Sequence, residues 1–288
     1  MSSTTTLVEV ANQVQKYWSP LWMKQLRESL LLGGLVNKQY DGEIKKGGDT
    51  VYVSQLNAPT GQTLTIGTDA DSFSSEAASL SRVAIQANKR FVASYEFEDV
   101  VDLQSQLAQE NPEVMNALMY AVNKQINDYL YGLVSASTSS PDHDIASVSD
   151  FNASQLAACR ILAGQAKWSQ EPGWYGLLDP QYHMDIINAT TLASVDYGAA
   201  DSPTISGKIV LPRMGFQLVE DNSRSADHGL LFHPDFMHFV MQKAPTIKIS
   251  DLHSQKRFGV VMSIDVIGGA AMGIDGSKKC IKVYNSAW

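Results

Sequence analysis

The chain has 288 residues, 44% of them hydrophobic and 18% charged, enough apolar material for one or two cores and too much for a disordered polymer. Its formal net charge of −8 argues against a nucleic-acid binder, because holding phosphates needs clustered Lys and Arg. No apolar run approaches the roughly 18 residues of a membrane helix, and the opening MSSTTTLVEV lacks the basic start and apolar centre of a signal peptide. A soluble, intracellular protein is the expectation.

Residues 1–15 are polar and short on anchors. Tyr17 to Leu32 reads as a short helix opening at Ser19-Pro20 and ending at Gly33-Gly34, with Trp18, Trp22, Leu26 and Leu30 on one side. So apolar a terminal arm must dock on its own domain or on a neighbour. Gly47-Gly48-Asp49 is a turn that leads into a strand, TVYVSQL. Pro59 through Ala78 is small and polar. Two extended runs follow, Ser79 to Gln86 and Lys89 to Asp99, separated only by Ala87-Asn88, so they are expected to pair as a hairpin. Its apolar content is thin and a lone hairpin is marginal in water, so it should lean on another surface.

Asn111 to Ser135 is the most strongly patterned stretch. Met115, Leu118, Met119, Val122, Ile126, Tyr129, Leu130 and Leu133 recur at the three-and-four spacing of one helix face. Asn111 suits the N-cap, Pro112 the first helical position, and Glu113 the positive end of the dipole. Such a helix is roughly 36 Å long; Gly132 and the Ser/Thr run weaken its far end. Ser135 to Asp150 reads as a low-complexity loop. Asn152 to Trp168 is a second amphipathic helix, Trp174 to Leu178 a short strand, and Asp179-Pro180 opens a helix through Asn188. A small-residue loop, Gly198 to Gly207, precedes closely spaced strands: KIVLPRMGFQLVEDN, LLFHPDFMHFVMQ, TIKISDL, FGVVMSIDVIGG and KCIKVYNS. Helices and strands neither alternate nor repeat cleanly, so the class is α+β.

The chemical motifs are few. Cys159, in an apolar helical run, and Cys280, in a strand, supply neither a disulfide framework nor a metal set. No Gly-x-Ser-x-Gly elbow is present. Gly268 and Gly273 have phosphate-loop spacing but Ile274 replaces the lysine, so GGAAMG reads as a tight packing point. His228, His233 and His238 fall five apart, a spacing that separates them on a strand or a helix alike; His233-Pro234-Asp235 reads as a turn with a locally bonded imidazole. His143 sits between aspartates in a loop that cannot preorganise a base. Glu96, Glu98, Asp99 and Asp102 form an acidic cluster that suits either Ca²⁺ or Mg²⁺ or a solvated, partner-facing surface; the second reading is preferred. Asn152-Ala-Ser and Asn188-Ala-Thr match the glycosylation pattern, idle without secretion. No catalytic, cofactor or metal residue is assigned, and no enzyme activity is expected.

Charge is unevenly placed. Nine acids stand against Arg82, Lys89 and Arg90 from Thr60 to Glu113, and seven bases against three acids from Lys243 to Lys282. These segments are either solvated faces or complementary surfaces on copies of one chain. The order of parts then matters more than any motif. GDTVYV leads into an extended segment; RFVASYEFED (Arg90 to Asp99) leads back toward the long helix; Gly207-Lys208-Ile209 through Met214-Gly215-Phe216 to Glu220-Asp221-Asn222 follows a helix-and-strand region. This ordered set, over nearly the whole chain, resembles the major capsid proteins of tailed bacteriophages, with their Hong Kong 97-type fold.

The resemblance implies an N-terminal arm and first strand over 1–57, an extended loop over 58–98, and a peripheral domain with its spine helix over 99–149. An axial domain would follow over 150–242, and return strands of the peripheral domain over 243–288. It implies hexamers and pentamers of one chain that enclose double-stranded DNA without sequence-specific binding, assembled in the host cytoplasm into a virion capsid. Portal, scaffolding and decoration proteins would be partners. Trp18, Trp22, Arg82, Glu96, Glu98, Lys256 and Arg257 are the expected contact residues between copies. Gly61 to Asn88 contains no lysine, so the Lys–Asn cross-link of the type member is not expected. No large scaffolding segment precedes the arm, so the scaffold should be a separate protein. The alternatives are an encapsulin-like compartment shell and, from another class, a soluble hydrolase or metal enzyme with an unrecognised site.

Overall fold

The structure is a computed structural model that describes residues 27–28, 30–44, 49–64, 66, 73–98, 112–137, 143–189, 192, 207–224, 226–285 and 288. Trp18, Trp22 and Asn111 lie outside these residues.

The spine is helix α3, Pro112–Ser137, preceded by two single turns, α1 (Leu32–Leu35) and α2 (Asp41–Ile44). Proline at its first position and Glu113 in its first turn open it as expected. Val114, Leu118, Val122, Ile126, Leu130 and Val134 are buried at helical spacing, while Met115, Met119, Tyr129 and Leu133 pack at the margin. The stripe is therefore rotated slightly from the sequence expectation. Gly33-Gly34 does not end a helix; it lies inside α1, where a Cβ on Gly33 would come within 3.9 Å of Leu130.

α3 packs on a three-stranded sheet of order β3-β9-β8, made of Lys89–Phe97, Val260–Met272 and Met237–Asp251. Phe91, Phe97, Met262, Ile264, Val266 and Phe239 meet the helix in one core. A second core lies under a five-stranded sheet of order β4-β10-β7-β5-β6. Its strands are Asp144–Ala146, Cys280–Tyr284, His228–Phe232, Trp174–Leu178 and Phe216–Glu220. Two helices cover it, α4 (Ala153–Gln165) and α5 (Pro180–Asn188), each started by a side-chain cap. Asn152 accepts from Ser154 and Gln155 N–H, and Asp179 from Gln181 and Tyr182 N–H. Phe151, Trp168, Trp174, Tyr182 and Phe216 fill the space beneath. Cys159 and Cys280 are both buried.

Four pairings differ from the sequence expectation. The run Leu80–Gln86, β2, does not form a hairpin with β3; it pairs antiparallel with β1 (Thr50–Leu56), from Thr50 opposite Gln86 to Leu56 opposite Leu80. Ala-Asn lacks the glycine that a two-residue hairpin turn favours, so the chain crosses there from one sheet to another and β3 joins β9. Residues 89–97 therefore belong to the three-stranded sheet and not to a hairpin with β2. Second, β8 is continuous through Ala244-Pro245, because it is an edge strand whose register slips at Lys243 absorb the proline. Third, part of the loop expected over 135–150 is β4, parallel to β10, and His143 beside it is buried. Fourth, β10 completes the five-stranded sheet, so the return segment beyond 243 divides between both sheets.

Candidate assembly surfaces

The β1–β2 hairpin is anchored at its root and bare beyond it. At the root, Ile85, Ala87, Ile44 and Val240 form a small core with Val51, Val53 and Val83, and Ala87 N–H donates to the Asp49 carbonyl at 2.8 Å. The Gln86 carbonyl rests against β9 so closely that a Cβ on Gly269 would overlap it, and one on Gly268 would sit 2.6 Å from the Val240 carbonyl. GGAAMG is thus the packing point expected of it. On the opposite face of the hairpin, Tyr52, Leu56 and Leu80 are 62%, 63% and 68% exposed. Register places Leu56 against Leu80 and Tyr52 against Ala84. Arg82 stacks its guanidinium over the Tyr52 ring at 5.3 Å, leaving one cation in an apolar stripe. Such a stripe on a thin, projecting hairpin is a surface suited to a partner.

The second surface is the distal end of the three-stranded sheet. From Ala244 to Asp251 every residue of β8 is exposed, and Tyr95, Ile247, Ile249 and Phe258 are exposed around it. The tip carries Lys256, in the left-handed conformation at φ 60°, and Arg257. Arg257 Nη2 lies 2.5 Å from Glu96 Oε1 of the same chain. Two expected contact residues therefore meet each other within one chain, and Glu98 is exposed beside them. Both groups of the Glu96–Arg257 pair are open to solvent, so it contributes at most about 1 kcal/mol. Behind the tip, Asp265 on β9 bonds Arg90, Lys243 and Thr246. Hydrogen bonds from Lys243 and then Arg90 hold its carboxyl well below the usual carboxylate range.

The base of the N-terminal arm runs along its own spine helix. Arg27 donates to the Asn116 carbonyl and lies over the Tyr120 ring, Glu28 N–H donates to Tyr120 Oη, and Lys124 pairs with Glu28.

The histidines do not converge. His233 Nδ1 accepts from Asp235 N–H within the expected turn, and its Nε2 meets Ser169 Oγ at 2.9 Å. His183 lies 3.8 Å from Glu220; burial pushes its pKa down, partly opposed by that carboxylate. His238 is likewise pushed down by burial, with Asp235 opposing and Lys279 reinforcing. It lines a cavity of about 230 Å³ beneath the hairpin root together with Tyr40, Ser54, Gln55, Asp235 and Lys279. Among the described residues no group of three or more His, Cys, Asp or Glu is placed to hold a metal ion, and no helix is long and apolar enough to cross a membrane.

Neither a family model nor a curated protein matches the sequence. Solved structures do match the fold. A chain from Mycobacterium phage Che8 superposes with a TM-score of 0.76 at 17% identity, over 93% of this chain and 96% of that one. A chain of the capsid structure of cyanophage P-SCSP1u gives 0.73 at 14%, over 97% and 95%. The chain has a Hong Kong 97-type capsid fold. A chain of the cyanophage Pam1 capsid asymmetric unit gives a TM-score of 0.72 at 12% identity, over 100% of this chain and 100% of that one. Within this fold, Tyr52, Leu56, Leu80 and Phe258 are surface residues that sequence reading missed. The signal was available: pairing TVYVSQL with LSRVAIQ, rather than the latter with its successor, puts Tyr52, Leu56 and Leu80 on one face.

Proposed function

We propose that this chain is the major capsid protein of a tailed bacteriophage, a structural subunit that assembles through hexamers and pentamers into an icosahedral shell around double-stranded DNA. The observation that carries the reading is the projecting β1–β2 hairpin, whose apolar face is left exposed by the described residues although its root is firmly packed. Similarity over nearly full length to chains of phage capsid structures supports it. The hairpin lies across a neighbouring copy and buries Tyr52, Leu56 and Leu80; the arm ahead of residue 27 does the same with Trp18 and Trp22. The five-stranded sheet with α4 and α5 forms the axial part, and α3 with the three-stranded sheet the peripheral part. Arg82, Glu96, Glu98, Lys256 and Arg257 lie between copies, where charge sets register more than affinity. An acidic subunit encloses packed DNA without gripping it. A scaffolding protein and a portal act on a shell built in the host cytoplasm. Electron microscopy and sedimentation of the purified protein test this. Capsomers or closed shells are expected; a 31.5 kDa monomer at every concentration, with the hairpin face protected from exchange, refutes it.

A further inference from the structure

Strand β8 changes course where it leaves the body. Its pairing with β9 slips between Met241 and Lys243 and again between Lys243 and Thr246. Before the slips Met237 to Val240 is buried, and after them Ala244 to Asp251 is exposed, so the slips mark the start of a projecting tongue. Asp265 of the central strand stands at this level, opposite Thr246 on one side and Val92 on the other. Its carboxylate collects donors from both flanking strands. Arg90 Nε and Nη2 of β3 reach Oδ2 at 3.1 and 2.7 Å. Lys243 Nζ and Thr246 Oγ1, the latter at 3.3 Å, reach Oδ1 from the two sides of the second slip. The Asp265 side chain is 7% exposed while that of Arg90 is 62% exposed, so the acid is covered by the groups that bond it. A covered carboxylate is unfavourable unless its partners stay in place, and here those partners straddle the bend.

We infer that Asp265 is a positioning residue: by tying Arg90, Lys243 and Thr246 to one point, it fixes the angle at which the tongue leaves the body and hence where Lys256, Arg257 and Phe258 meet a second copy of the chain. This rests on the self-assembling reading above. From Thr246 to Asp251 the strand rises about 17 Å at about 3.3 Å per residue. A swing of about 10° at the slip then moves its far end by about 3 Å, more than a hydrogen bond tolerates. Shell geometry is therefore sensitive to this one carboxylate although it is covered within its own chain.

The test compares wild type, Asp265→Asn and the solvent-facing change Arg90→Gln by amide hydrogen exchange and by electron microscopy of assembled material. Exchange should quicken about tenfold or more within 246–251 and 260–264, with α3 and the five-stranded sheet unchanged, and shells should spread in diameter relative to wild type. Unchanged exchange, or an even rise over the whole chain, overturns the inference, as does a uniform wild-type diameter. If Asp265→Asn fails to fold, the same local effect in Arg90→Gln supports the staple and its absence overturns it. Local loosening in the variants, beside a wild-type chain that never assembles, would overturn the self-assembly reading and leave the staple standing.

Discussion

Replacing Gly269 by alanine should detach the hairpin root from the body. The added Cβ would overlap the Gln86 carbonyl oxygen, with the Ala87 Cα 3.2 Å away. Both are main-chain atoms, so no side chain can rotate aside, and the end of β2 must retreat. Overpacking of this kind costs about 1–3 kcal/mol. The retreat also uncovers Ile85, which is fully buried against Ile44 and Val240, and losing much of one such side chain's burial adds about 1.5–3 kcal/mol. The total of about 2.5–6 kcal/mol corresponds to a fall in Tm of about 4–10 °C for a chain of this size. Gly132→Ala is the matched control: nothing lies within 4 Å of its Cβ position and it sits inside α3, so a gain of about 0.5–1 kcal/mol is expected. Urea unfolding followed by tryptophan fluorescence measures both. A Gly269→Ala protein as stable as wild type would refute the close-approach reasoning, whatever Gly132→Ala does.

Acid should weaken the fold through His183 and His238. Burial lowers both folded pKa values, so as pH falls through the unfolded value of about 6.5 the unfolded chain takes up protons first and stability declines until the folded values are passed. Tm measured from pH 7.5 to 5 should fall, and the slope should flatten in His183→Gln and His238→Gln. Burial pushes the Cys159 and Cys280 thiols up to about 12, so a water-soluble thiol reagent should label neither in native protein and both in urea. Reversing Glu96 and Glu98 to Lys removes an exposed pair with Arg257 and should change monomer stability by less than about 1 kcal/mol while impairing assembly; normal shells from this variant would count against a role between copies.

Local chemistry was legible in the sequence and partner choice was not. The spine helix, the Asn152 and Asp179 caps, the His233 turn and the tight glycines follow from residues a few positions apart, where spacing and side-chain reach decide the outcome. Which strand lies beside which is settled by contacts across the chain. Leu80–Gln86 alternates well enough to pair on either side, and its pairing with β1 goes with the close approach of Gln86 to Gly269 on β9, some 180 residues away in sequence order. Pro245 argues for a break unless β8 is known to be an edge. Asp265, Arg90 and Lys243 look like unrelated surface charges in sequence, and only the sheet brings them to one point. The surface residues Tyr52, Leu56 and Leu80 went unseen for the same reason, since their common face exists only once the pairing is known.

Strand β10 slots between β4 and β7, so residues 280–284 fill a gap bordered by residues 144–146 and 228–232. Until that late strand emerges from the ribosome, both flanking edges stand with unmet amide and carbonyl groups, and Ile281 and Val283 are missing from the hydrophobic layer beneath. A nascent chain stalled short of this point would be sticky and unfinished, so translation has to reach it before a competent building block can exist.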